Sequence, residues 1–153
     1  MYEPLLFIHS WFRWLALLST VYYFGACIVA SIRRTEWGAS DNHFHWAYNQ
    51  LIGYQIGFGV ALWLAASPFV KAGLSNINDM YADPVLVFWT VRHPLTMIAA
   101  YAVYHLGRAF AKKVNTKSKH KVFAVTFAVI LMLMASAIPW SWLVYGRPNV
   151  RWL

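Results

Sequence analysis

The sequence predicts an all-α fold, an integral membrane four-helix bundle that covers residues 1–153 as a single transmembrane domain. Three observations favour this class. Of the 153 residues, 60% are hydrophobic, and only 12% are charged, whereas a soluble domain carries about 25% charged residues. Four separate segments hold the roughly 20 mainly apolar residues that cross a bilayer. Lipid would solvate the outer faces of these helices, which a small soluble domain could not hide from water.

The predicted helices cover residues 5–32, 45–66, 84–110 and 121–144. Pro4 and Pro84 fall at first-turn positions, where a missing amide hydrogen costs nothing. Pro68 ends the second helix, because its ring cannot follow a helical turn. The fourth helix holds Pro139 near its end. The loop at 69–83 is expected to form ordered turns or a short surface helix.

Pro94 is different, because it lies inside the third predicted helix. It is expected to kink that helix near Thr90 and to deprive the Thr90 carbonyl of its helical partner. A free carbonyl at membrane depth needs another donor. Such a kink next to His93 could shape a site, or it could be an ordinary transmembrane proline, and both interpretations stay open here.

Small and aromatic residues give two further predictions. Gly53 and Gly57 form a small-xxx-small pair, which predicts close helix packing, although the same face could make room for a flat cofactor. An interfacial aromatic belt is predicted at the outer end of the fourth helix, formed by Trp140, Trp142, Tyr145 and Trp152.

The distribution of Lys and Arg predicts the orientation. Eight follow the first and third helices, namely Arg33, Arg34, Arg108, Lys112, Lys113, Lys117, Lys119 and Lys121. Three lie on the opposite side, namely Lys71, Arg147 and Arg151. Adding Arg13 and Arg92, just inside the helix ends, raises that side to five. By the positive-inside rule the predicted bundle is N-out and C-out.

Several other classes of protein are disfavoured. The net charge of +8 comes from Lys and Arg placed between apolar runs, so no nucleic-acid partner is expected. Cys27 is the single cysteine, and no zinc or iron–sulfur spacing accompanies it. No acidic residue lies deep in a predicted helix, which disfavours a transporter or channel. The N-terminus lacks a basic n-region, so the first helix is expected to remain in the mature protein.

The six histidines are expected at two depths. His9 and His93 fall in the outer half of the predicted bundle, because the first and third helices both run from outside to inside. The other four are expected near the cytoplasmic surface, namely His43, His45, His105 and His120.

The outer pair suits haem b. Helical bundles supply two axial imidazoles from facing helices, so His9 and His93 are the predicted iron ligands. Arg13 lies one turn after His9, and Arg92 adjoins His93, so both are candidate partners for the haem propionates. An arginine near hydrocarbon is costly unless paired, and acids are scarce in this chain. The alternative without a cofactor is that both histidines are interfacial or hydrogen-bonded residues that bind no ligand.

The inner histidines form a second, weaker candidate cluster. His45, His105 and His120 could hold a second haem, or they could simply contact water. His93 and His105 are about 18 Å apart in helical rise, but they do not share one straight helix face.

Five short motifs resemble those of a family of small four-helix membrane proteins from the Bacteroidetes that are commonly called "cytochrome B". They are HSWFRW at 9–14, FWTVRH at 88–93 with Met97, HLGR at 105–108, KHK at 119–121 and IPW at 138–140. The resemblance covers most of the chain. It implies b haem, a multi-pass location in the bacterial inner (cytoplasmic) membrane, and quinone-linked electron transfer.

One departure from that family bears on the haem. Its members carry a histidine followed by Gln in the second helix, where this chain has Tyr54-Gln55. If that histidine is a ligand in the family, this chain would bind fewer haems or none.

Two functions therefore remain in view. The leading one is a small b-type cytochrome that carries electrons to or from the quinone pool or a respiratory complex, more an electron carrier than a stand-alone enzyme. The alternative is a non-catalytic subunit of a larger respiratory or photosynthetic complex. Lipid and other membrane subunits are the expected partners in both cases.

Overall fold

The computed structural model describes residues 2–148, apart from the side chain of Ala66, and this part of the chain is helical with no strand. The helices are α1 (Tyr2–Arg33), α2 (Ala39–Ala61), α3 (Pro68–Ser75), α4 (Ile77–Ala82), α5 (Pro84–Val87), α6 (His93–Ala111) and α7 (Thr116–Ala137). Two π-helical turns interrupt this order, at Leu62–Ala66 after α2 and at Phe88–Arg92 before α6.

Three helical stretches are long and apolar enough to cross a membrane, namely Tyr2–Arg33, Pro84–Ala111 and Thr116–Ala137. The stretch Ala39–Ala65 passes the same test together with Pro68–Ser75, to which it is joined at a 47° bend. Counted as one broken span, this pair raises the number to four. These are the helices of a membrane protein.

The predicted start of α2 was too late. The structure begins α2 at Ala39 rather than at residue 45, because the carboxylate of Asp41 accepts a hydrogen bond from the Gly38 backbone N–H at 2.7 Å. This contact satisfies one of the free amides at the helix start.

The predicted bounds of the fourth helix, 121–144, were also wrong at both ends. Helix α7 begins at Thr116, since the Asn115 side chain accepts from the Ser118 N–H at 2.9 Å. It ends at Ala137. Ile138 is extended, with ψ 129°, because a residue before proline avoids the helical region.

The four long helices pack side by side in a fixed order. Helix α1 contacts α2 and α7, and α6 contacts the same two neighbours. Helices α1 and α6 therefore lie diagonally opposite each other across the centre. The core between the helices is aromatic, and Tyr48 and Tyr104 are among its fully buried side chains. Tyr48 also shares a hydrogen bond of 2.9 Å with the Thr20 hydroxyl.

The segment 69–83, for which ordered turns or a short surface helix were predicted, is helical and divides between α3 and α4. Each short helix begins with a side-chain cap. Ser67 accepts from the Val70 N–H at 3.4 Å, and Asn76 accepts from the Asn78 N–H at 3.1 Å. These caps are typical of helix starts.

Close packing at glycine occurs elsewhere than predicted. A Cβ added at Gly53 or Gly57 would meet nothing within 4 Å, so the small-xxx-small pair does not bring two of the described helices together. The close approaches are instead at Gly107, where a Cβ would overlap Thr126, and at Gly73, where it would reach the Thr90 hydroxyl at 2.5 Å.

The chain after α7 turns back over the end of the helices that carries α3, α4 and α5. Gly146 permits this turn, because a Cβ there would overlap the carbonyl of Trp140. The Tyr145 ring stacks on Phe88 with centroids 3.7 Å apart. Trp140 and Trp142 stack on each other at 5.2 Å. Of the predicted outer-side residues, Trp152 and Arg151 lie outside the described part of the chain.

Candidate functional site

The structure brings the two outer histidines together. His9 projects from α1, and His93 is the first residue of α6. Their ring centroids lie 6.3 Å apart, with the ring planes at 79°. Because α1 and α6 are diagonal neighbours, the two imidazoles meet across the centre of the helices rather than along one surface.

His93 is held in a defined orientation. Its Nδ1 lies 2.7 Å from the backbone carbonyl of Ala137. Since a carbonyl only accepts, Nδ1 carries the proton, and Nε2 of the neutral ring has a free lone pair. The Phe88 and Trp89 rings flank the imidazole, with centroids at 5.7 and 5.5 Å. A metal-binding histidine commonly donates its second nitrogen to a backbone carbonyl in this way.

His9 is less fully satisfied. Its Nε2 lies 3.4 Å from the side-chain nitrogen of Gln55, which is a long contact. Its buried Nδ1 and the buried Oε1 of Gln55 have no hydrogen-bond partner among the described residues. Gly59 lies directly against the ring, and a Cβ there would stand 3.0 Å from Cε1 of His9. A buried polar atom without a hydrogen bond is costly. Nδ1 of His9 and Oε1 of Gln55 are therefore available to bind a ligand in the cleft.

The helix irregularity at Pro94 is a π-helical turn. The His93 N–H donates to the Phe88 carbonyl, five residues earlier, and π-turns of this kind occur often at functional sites. The Thr90 carbonyl, which Pro94 cannot reach, accepts from the indole N–H of Trp63 at 2.9 Å. The predicted free carbonyl and its need for another donor are therefore confirmed.

A cleft adjoins the histidine pair between α1, α2 and α6. It contains about 750 Å³ of space not filled by protein atoms, counting the part that is open to the outside. Its polar lining residues include His9, Gln55, His93 and Arg147, and most of the others are apolar or aromatic. No Asp or Glu of the described chain lines it.

Arg13 and Arg92, the two predicted partners of the haem propionates, differ in their position relative to the cleft. Arg13 is buried, with its guanidinium carbon 5.1 Å from the Trp14 ring centroid, and it lies within electrostatic range of both histidines. Arg92 is exposed and does not line the cleft. Successive helical residues point about 100° apart, so adjacency to His93 in sequence sends Arg92 away from the site.

The inner histidines do not converge on a common space. The Trp37 ring lies between His45 and His120, with centroid distances of 4.8 and 5.0 Å, and the Phe123 ring is 3.9 Å from His45. His105 is exposed and contacts Tyr101 at 4.5 Å. The Trp37 ring thus separates the imidazoles of His45 and His120. His43 is exposed as well.

Sequence reasoning missed three parts of the outer site. Gln55 and Arg147 line the cleft, and the Ala137 carbonyl orients His93. Gly59 also lines the cleft, and it belongs to the glycine-containing helix for which space for a flat cofactor was considered. The scarcity of acids was a usable signal for Arg147, since an arginine this close to apolar surface needs a partner. Nothing in the sequence pointed to the carbonyl, because a backbone acceptor carries no residue signature.

Comparison of the chain with protein-family models, with curated proteins and with solved structures found no match. The described residues contain no group of three or more His, Cys, Asp or Glu that could hold a metal ion. The helices and the paired histidines therefore carry the functional argument alone.

Proposed function

We propose that this protein is a small b-type cytochrome, which binds one haem b between His9 and His93 and carries electrons to or from the quinone pool or a respiratory complex. In this proposal all four long helices cross the bacterial inner membrane in an N-out, C-out bundle. The basic residues after α1 and α6 would then face the cytoplasm.

The observation that carries the proposal is the separation of the two imidazoles. His9 and His93 project from two different helices, and their imidazoles would hold the iron of one haem between them. The observed separation is 6.3 Å.

The hydrogen bond to His93 gives independent support. Donation from Nδ1 to the Ala137 carbonyl at 2.7 Å fixes the tautomer in which Nε2 can bind iron and raises its basicity.

The bound haem would supply one-electron chemistry at its iron, and the protein would tune the potential through its axial ligands and surroundings. His9 and His93 would hold the iron, and the aromatic rings of Phe88 and Trp89 would keep water from His93. The cleft of about 750 Å³, which is partly open to the outside and has Gly59 in its lining, would receive the macrocycle.

A non-catalytic subunit of a larger membrane complex is the second candidate. A groove along α1 favours this second candidate. Its lining includes Tyr22, Gly25, Val29 and Arg33. Leu18 and Ile32 on the same helix are 63% and 77% exposed. Such a face suits lateral packing against another transmembrane helix, where small residues permit close approach.

A difference spectrum separates the two candidates. The protein would be purified in mild detergent from haem-replete cells, and its reduced-minus-oxidised visible spectrum recorded with a pyridine haemochrome assay for stoichiometry. The cytochrome proposal predicts a b-type α-band and about one haem per chain. A preparation without Soret absorbance that co-purifies with an oxidase or reductase would overturn it and favour the subunit.

A further inference from the structure

Arg147 is the positively charged side chain of the described residues that lines the cleft. It lies beyond α7, in the segment that turns back over the ends of the helices. Its guanidinium carbon is 4.5 Å from the Trp89 ring centroid and 5.0 Å from that of Phe69. Its Nη2 donates to the Tyr2 hydroxyl at 3.0 Å. The backbone N–H of Arg147 also donates to the Pro139 carbonyl at 3.1 Å, so both ends of the residue are fixed.

These contacts leave most of the guanidinium donors unused. Arginine has five N–H donors in a planar fork, and contacts with aromatic rings at its faces use none of them. In the described part of the chain, the Tyr2 hydroxyl is the one acceptor found for this side chain. A guanidinium with a fixed plane and free donors is suited to bind a carboxylate through two hydrogen bonds.

The charge around the cleft points to the same kind of ligand. Arg147 lines the cleft, and no acidic side chain of the described residues does so. The positive charge is therefore not balanced within the lining, where apolar walls strengthen its attraction for an anion. An amphipathic molecule with a carboxylate at one end complements this arrangement.

We propose that Arg147 binds a haem propionate in the cleft, the role for which Arg92 was the sequence candidate. This inference rests on the proposed function, since it needs haem between His9 and His93. Trp89 links the two parts of the site, because its ring contacts both the Arg147 guanidinium and the His93 imidazole. Arg147 is thus a binding residue for the anionic edge of the cofactor, whereas the histidines bind its iron.

The test compares haem b with its dimethyl ester, which lacks the two carboxylates but retains the iron and the ring. Dissociation constants for both compounds would be measured by Soret titration of haem-free protein in detergent. The proteins are the wild type, Arg147→Gln and the matched control Arg92→Gln. We expect the wild type and Arg92→Gln to prefer haem b over the ester by roughly ten- to a hundredfold, the strength of a charge-assisted hydrogen bond. Arg147→Gln should lose most of that preference.

The ester also reports on folding. If Arg147→Gln binds the ester as well as the wild type does, its site is intact, and the lost preference belongs to the propionate contact. Equal preference in Arg147→Gln and wild type would overturn the inference while leaving the cytochrome proposal standing. Failure of wild-type protein to bind either compound would sink the cytochrome proposal itself.

A lipid carboxylate is the other source of the same chemistry. Titration of haem-free wild type and Arg147→Gln with spin-labelled stearate distinguishes it. Arg147-dependent stearate binding that haem b does not displace would assign Arg147 to a fatty acid and overturn the propionate inference. Displacement of the stearate by haem b, with no displacement by the dimethyl ester at equal concentration, would support the propionate inference.

Discussion

The indole N–H of Trp63 donates to the backbone carbonyl of Thr90 across 2.9 Å. This bond joins the two π-helical turns, one at the end of α2 and the other just before His93. It supplies the donor that Pro94 cannot provide, in a region where water is scarce. The position of His93 therefore depends on a side chain 30 residues earlier in the sequence.

Replacing Trp63 with Phe should destabilise the protein by about 1–3 kcal/mol, because the Thr90 carbonyl would be left unsatisfied. Thermal unfolding in detergent would measure the change. Trp142→Phe is the matched control, since Trp142 is 71% exposed, and it should cost less than about 0.5 kcal/mol.

A double-mutant cycle with Pro94→Ala tests the cause. Alanine restores an N–H that can bond to the Thr90 carbonyl, so Trp63→Phe should cost clearly less in that background. An undiminished cost would show that the indole stabilises the protein through packing alone.

Gly59→Ala should disturb His9, because the new Cβ would lie 3.0 Å from the imidazole. If haem binds there, its rate of dissociation should rise roughly tenfold, since overpacking of a fitted site typically costs 1–3 kcal/mol. Gly57→Ala is the control, as its Cβ would meet nothing within 4 Å, and it gains the same helix propensity. Transfer of haem to apomyoglobin would give both rates, and equal rates would contradict the predicted contact.

Gly107→Ala should destabilise the packing of α6 on α7, because its Cβ would overlap Thr126. We expect a loss of about 1–3 kcal/mol in unfolding free energy. Gly53→Ala, which has open space, should be neutral or slightly stabilising. Denaturation of the two variants in the same detergent provides the comparison, and similar stabilities would show that α6 and α7 pack less closely than described.

The proposed orientation predicts opposite labelling at two exposed positions. In a Cys27→Ala background, Asn78→Cys lies between α3 and α5, and Thr116→Cys lies at the start of α7. A membrane-impermeant maleimide should label Asn78→Cys in intact spheroplasts and Thr116→Cys only after lysis. The reverse pattern would mean that the basic residues face outward.

The sequence was informative about helices and about the vacant carbonyl. Long apolar runs locate α1 and α6 well, because crossing a membrane requires a fixed length of apolar helix. Pro94 predicts a free acceptor at Thr90 by covalent structure alone. The identity of the donor, Trp63, depends on how α2 packs beside α6, which no local pattern encodes.

The site was partly predictable for a similar reason. His9 and His93 were both predicted in the outer half of the bundle by counting residues along two helices of like direction. Arg92 was misplaced because sequence adjacency does not give helix azimuth. Arg147 was missed because it reaches the cleft through the turn at Gly146, whose geometry depends on the carbonyls of Trp140 and Leu143.

The most direct test of the central proposal is low-temperature electron paramagnetic resonance of the oxidised protein, for the wild type, His9→Gly and His93→Gly. Two histidines bound to one haem iron predict a low-spin signal in the wild type and a high-spin signal in each variant. Added imidazole should restore the low-spin signal in both. A low-spin signal that persists unchanged in either variant would show that the iron is bound elsewhere.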